Sequence, residues 1–198
     1  MLSIDKGKKL RVVDARWLRH FEELYAPNPR LLVPGEGPSG ARVALVGEAP
    51  GKDETLQGRP FVGKAGKNLD EFIEMTGLTR EALYITNVVK LRPVRVSAKG
   101  TTANRPPNSE EIALFKPWLI EELTLLSPDF IVTLGNTPLR ALGGAKEVIG
   151  KAHGRVLGEA LGAKLFPLYH PASIIYNRAL RPVYEEDLSL LREALQRG

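Results

Sequence analysis

The chain has 198 residues, is 43% hydrophobic and 26% charged, and carries a formal net charge of +5 with no cysteine. These values suit one α/β domain with a sizeable core, and they exclude disulfides, thiol catalysis and any cluster held by thiolates. The basic excess leans mildly towards a polyanionic partner without identifying one.

The N-terminus, MLSIDKGKKLRVVD, is positively charged but has no continuous apolar run, so no signal peptide is expected. No later stretch is apolar for long enough to span a bilayer, and the expectation is a cytoplasmic protein with no membrane contact. A helix is expected over Ala15–Tyr25. Four short runs rich in Val, Ile and Leu then read as strands buried on both faces: Arg42–Gly47, Leu83–Val89, Phe130–Leu134 and Lys164–Tyr169. Helical patterns separate them. Gly66–Thr76 places Leu69, Phe72 and Ile73 on one face; Ser109–Leu126 and the shorter Asn136–Leu142 follow. Pro182–Gln196 closes the chain, with Glu185, Glu186 and Asp187 early and Arg192 late, as the helix dipole favours.

Strands alternating with helices predict one domain over residues 1–198, a three-layer α/β/α sandwich around a central four-stranded parallel sheet. Arg92–Asn108 breaks the pattern as a long, basic, proline-containing loop, a class that is usually functional or mobile. In such folds ligands collect at the carboxyl ends of the strands. Polar clusters stand at all four ends: Gly47-Glu48-Ala49-Pro50-Gly51, then Asn87, then Gly135-Asn136, then His170-Pro171-Ala172-Ser173. The three histidines, His20, His153 and His170, show no ligand spacing, and no metal site is expected.

The stretch Gly58–Ala65, GRPFVGKA, comes within one residue of a P-loop. Ala65 lacks the hydroxyl that would hold Mg²⁺, Pro60 has no N–H for a phosphate, and Phe61 is bulky where a backbone cradle needs small residues. ATP or GTP binding is set aside on those grounds.

Taken in order, GEAPG, GRPFVGKAG, ITNVVK-x-RP, LG and HPAS resemble the uracil-DNA glycosylase superfamily, most closely its family 4, over roughly Arg42 to Tyr176. The resemblance implies a four-stranded parallel sheet between helices. It also implies hydrolysis of the N-glycosidic bond of uracil in DNA after the base is flipped from the stack, without a cofactor because water is the nucleophile. The implied partner is uracil-containing DNA, single- or double-stranded, bound by a monomer in base excision repair. A catalytically silent DNA-binding relative is the alternative. Family 4 enzymes typically carry an iron–sulfur cluster on four cysteines. Leu91 and Phe115 stand where two of them would be, and apolar packing by these two residues is the expected replacement.

Phe61 reads by itself as a core phenylalanine; the resemblance makes it the ring that stacks on uracil. Asn87 interrupts an apolar strand, where it caps a turn or pairs with uracil O4 and N3–H. His170 reads as a buried histidine or as a donor to uracil O2, where charge develops as the bond breaks. Glu48 is the first candidate for the carboxylate that orients water, Glu54 the second and Asp53 a weaker third. Gly47, Ala49 and Gly51 are expected to line the base pocket. Gly51 replaces a tyrosine that blocks the thymine methyl in the best-known relatives, which suggests looser specificity. DNA contacts are expected from Lys64, Lys67, Lys90, Arg92, Arg95, Lys99, Arg105 and Ser173. Ile174 and Ile175 read evenly as an apolar wedge or as core contacts at a helix start.

Overall fold

The computed structural model describes residues 2–28 and 30–197, without the side chains of residues 2–5 and Phe72. The expected position of Phe72 therefore lies outside the described residues. Strands β1 (Val43–Gly47), β2 (Tyr84–Asn87), β5 (Phe130–Leu134) and β7 (Ala163–Leu168) pair in parallel in the order β2-β1-β5-β7. A fifth strand, β6 (Gly158–Ala160), pairs antiparallel with β7 at the edge. The four-stranded parallel sheet is thus extended by one short edge strand. Its sequence, Gly-Glu-Ala, has none of the apolar density that marks a buried strand.

Alternation along each strand sorts the core into two halves. Ala44, Val46, Tyr84 and Ile131 face α1 (Leu2–Leu24), α4 (Ser109–Leu126) and α5 (Asn136–Gly143), with the short α6 (Ile149–Ala152) beside them. Val43, Leu45, Ile85 and Val132 face α3 (Lys64–Met75), α7 (Pro171–Tyr176) and α8 (Arg181–Arg197). Both faces are covered, which gives the three layers. A six-residue helix, α2 (Lys52–Gln57), lies between β1 and α3.

Helix α1 begins well before Ala15. Leu10, Val13 and Phe21 are buried at helical spacing and Trp17 packs against the same core. Gly7 and the paired valines at 12 and 13 obscure that period in the sequence. The segment Arg92–Asn108, expected as one long loop, contains a small antiparallel hairpin, β3 (Val94–Val96) with β4 (Thr102–Asn104). No helix among the described residues is long and apolar enough to cross a membrane.

The chain leaves β1 towards α3 on one face and leaves β5 towards α5 on the other. Adjacent parallel strands whose connections diverge open a crevice at their carboxyl ends, between the loops that follow them.

Candidate active site

Two cavities of about 480 and 530 Å³ meet at that crevice, each within the usual range for ligand sites. They share Ala49, Gly51, Asn104, His170, Ala172 and Tyr176. Phe61, Asn87, Glu54 and Lys64 line the first alone; Glu48, Asn136, Arg105 and Ser173 line the second alone.

Gly47 ends β1 beneath the first cavity. A β-carbon there would stand 2.5 Å from Phe61 Cζ and closer still to Asn87 Oδ1. Glycine is the residue that lets the ring and the amide converge over the strand end. Phe61 sits at φ 53°, a left-handed conformation that costs a bulky residue about 1–2 kcal/mol. Arg80 holds it there: its guanidinium donates to Phe61 O at 3.1 Å and Pro60 O at 2.6 Å, and pairs with Asp70 at 2.9 Å. Phe61 is buried, with its ring centroid 6.0 Å from that of His170.

Asn87 is 2% exposed, and its Oδ1 accepts no hydrogen bond among the described residues. A buried acceptor left unpaired costs about 1–3 kcal/mol, so the cavity wall holds an acceptor waiting for a donor. His170 precedes α7, and its Nδ1 accepts the Ala172 N–H at 3.1 Å. Accepting there leaves the proton of the neutral ring on Nε2. Burial pushes the His170 pKa down to about 4, against a weaker opposing pull from Glu54. The ring is therefore a neutral Nε2–H donor at neutral pH.

The two expected carboxylates differ. Glu54 is buried, and accepts from the backbone N–H of Gly51 (3.1 Å), Val62 (3.1 Å) and Gly63 (2.8 Å). Both of its oxygens are engaged in tying the loop after β1 to the start of α3. Glu48 is half-buried and accepts from Thr137 Oγ1 of α5, across the crevice. Asp53 is exposed at the rim. A β-carbon on Gly51, which borders both cavities, would meet Glu54 Oε2 at 2.7 Å and Asn104 Nδ2 at 3.3 Å.

Of the expected contacts, Lys90 and Ile174 are buried and Arg105 is ion-paired. Lys90 is 0% exposed and cannot reach DNA. Its ammonium donates to Glu122 at 2.6 Å, Asn87 O at 3.0 Å and Thr86 Oγ1. Ile174 is 5% exposed and packs in the core, whereas Ile175 is 45% exposed and Tyr176 89%, at the mouth of the cavities. Arg105 is held by both Glu111 oxygens at 2.7 Å, which offsets its charge. Lys64 and Lys67 are exposed at the start of α3, Ser173 is half-buried in α7, and Arg95 and Lys99 are exposed on the hairpin. Sequence reasoning missed Thr137, Asn104, Arg80 and Tyr176. Only Tyr176, an aromatic residue six positions after His170, carries a visible signal.

The two matched cluster positions belong to the core beside α1 and α4. Leu91 and Phe115 share one buried cluster, and Phe115 stacks on Phe21 at 4.3 Å with an interplanar angle of 13°. Trp17 and Trp118 stack beside them at 6.2 Å. With no thiol in the chain, and no group of three or more potential ligands among the described residues, these side chains do not fit an iron–sulfur cluster.

The sequence profile described as the Uracil DNA glycosylase superfamily matches residues 34–195, which include every wall of this site. The chain belongs to the uracil-DNA glycosylase superfamily. It is 41% identical over 171 residues to the type-4 uracil-DNA glycosylase of Saccharolobus solfataricus, covering 82% of this chain and 76% of that protein. Identity to the type-4 enzyme of Thermotoga maritima is 37% over 169 residues, covering 84% of each chain. A type-5 uracil-DNA glycosylase of Pyrobaculum aerophilum is 33% identical over 184 residues, covering 82% of this chain and 74% of that protein.

Proposed function

We propose that this chain hydrolyses the N-glycosidic bond of uracil in DNA, leaving an abasic site for base excision repair. The observation that carries this reading is the unpaired, buried Asn87 Oδ1 beside the Phe61 ring. Uracil presents N3–H next to O4, a donor beside an acceptor, which a carboxamide complements. Cytosine presents an unprotonated N3 beside an amino group, the reverse order.

The chemistry follows from the remaining groups. The N1–C1′ bond breaks with its electron pair leaving on uracil, and charge gathers on O2. The His170 Nε2–H donates to that oxygen, and a neutral donor suffices because no proton need transfer. Water attacks C1′, oriented by Glu48, which Thr137 holds and which offsets positive charge on the sugar. The proton the water loses passes by way of the Glu48 carboxylate to solvent, where it balances the uracil anion that leaves. The target bond is out of reach in a stacked duplex, so the base enters flipped out, and an unpaired strand is the easier substrate. Lys64 and Lys67 meet backbone phosphate.

The test is release of uracil from a uracil-containing oligonucleotide, single-stranded and opposite G or A, read as strand breaks after alkali. Asn87→Ala and His170→Ala should each remove most activity while the protein still melts cooperatively. DNA binding without any cleavage would favour the silent relative instead.

A further inference from the structure

A third cavity, of about 370 Å³, opens where the end of α1 and the turn after it meet the hairpin. Its apolar lining includes Tyr25, Leu91 and Val96, the last 65% exposed. Its cationic lining is Arg30, Arg92 and Arg105, against one carboxylate, Glu111. Glu111 is spent on Arg105. Among the described residues Arg92 donates only to the neutral Asn104 Oδ1, at 2.7 Å, and the Arg30 guanidinium lies 5.9 Å from the centre of the Tyr25 ring. Neither Arg30 nor Arg92 has a carboxylate partner among the described residues, so the cavity keeps two uncompensated positive charges beside an aromatic ring.

This cavity adjoins the active site. Pro93 and Arg105 border both it and the cavity that holds Glu48 and His170. Asn104, which fixes Arg92, borders both active-site cavities. A strand that leaves the base pocket past Asn104 and Arg105 runs towards it.

We propose that this cavity binds an unpaired nucleotide of the substrate strand, flanking the target base on one side. Its base lies against Tyr25 and the apolar lining, and its phosphate meets Arg30 and Arg92. A basic groove interleaved with an aromatic platform is what unpaired nucleic acid requires. A base stacked in a duplex cannot reach the apolar lining, and a phosphate alone would leave it unused. The inference rests on the glycosylase reading for its substrate, but its test does not depend on catalysis.

The experiment measures binding by fluorescence anisotropy, using single-stranded oligonucleotides with thymine or uracil at the target position and with the 5′ or the 3′ flank cut back to one nucleotide. Uracil release is followed in parallel. For the unaltered protein, truncating one particular flank should weaken binding roughly tenfold, and truncating the other much less. Tyr25→Leu, which keeps apolar bulk against Phe21, and Arg30→Gln should each weaken binding of the long oligonucleotide towards that of the truncated one. The truncated oligonucleotide should bind the variants and the unaltered protein alike. Equal loss on long and truncated strands, or indifference to both truncations, overturns the subsite. Absence of uracil release with the flank effect intact overturns the glycosylase reading and leaves the subsite standing.

Discussion

The Phe61 ring lies over Gly47 with no room for a single added carbon: a β-carbon on residue 47 would stand 2.5 Å from Phe61 Cζ. The ring cannot retreat easily, because Arg80 holds the Phe61 and Pro60 carbonyls. Gly47→Ala should therefore displace the ring or the Asn87 amide from the base pocket. We expect uracil release to fall by about 100-fold or more, since misplacement of about 1 Å costs that much, with a much smaller fractional change in stability. Parallel measurement of kcat/KM and thermal melting checks this; an alanine variant with normal kcat/KM would show that the pocket does not need this convergence.

Glu48 and Glu54 should separate cleanly. Glu54 accepts three backbone N–H groups, so Glu54→Gln must turn a donor towards at least one of them. The expected cost is about 1–3 kcal/mol, visible as a lower urea midpoint. Glu48 is tied to one hydroxyl, and Glu48→Gln should leave the midpoint nearly unchanged while lowering kcat by about 100-fold or more. Full activity in Glu48→Gln, with a rate loss but native stability in Glu54→Gln, would exchange the two roles.

The frame was legible because its signals are local. Doubly buried parallel strands must be short and apolar, and Val43–Gly47, Tyr84–Asn87, Phe130–Leu134 and Ala163–Leu168 all lie within three residues of their expected bounds. The convergence of Gly47, Asn87 and His170 was legible for a related reason: loops at one end of a parallel sheet have few places to go, whereas Phe61 entered the site only through the family resemblance. What stayed hidden depends on distant partners. Lys90 reads as a surface cation until Glu122, thirty-two positions along the chain, is seen to bury with it. Glu54 reads as a free acid until the backbone of Val62 and Gly63 folds onto it. Ile174 could be read as wedge or as core from the sequence, and one turn of α7 decides which side meets α3 and which meets solvent.

Lys90 supplies the third prediction. It is paired with Glu122 at 2.6 Å, both side chains are fully buried, and Tyr84 Oη donates to the same carboxylate at 2.7 Å. Lys90→Met leaves Glu122 buried without its cation, which should cost about 3–5 kcal/mol in denaturant unfolding. Adding Glu122→Leu should recover part of that loss, because the pair offsets a desolvation penalty that apolar side chains never incur. A Lys90→Met protein of unchanged stability but weakened DNA binding would return this residue to the surface.

His170 makes the pH dependence specific. Its pKa is lowered by burial from 6.5 to about 4, so between those values the unfolded chain binds a proton that the folded one does not. This contribution to stability is complete above pH 6.5 and is lost as the pH falls towards 4, by up to about 3 kcal/mol over that interval. The functional consequence is a histidine that stays neutral, and Nδ1 is already occupied by the Ala172 N–H. The pH profile of kcat/KM should therefore show no His170 ionisation between pH 5 and 8, and its ring nitrogen resonances should stay those of the Nε2–H tautomer throughout. A ring that titrates near 6.5 in the folded protein would mean that a charged imidazolium, not a preorganised neutral donor, faces the leaving base.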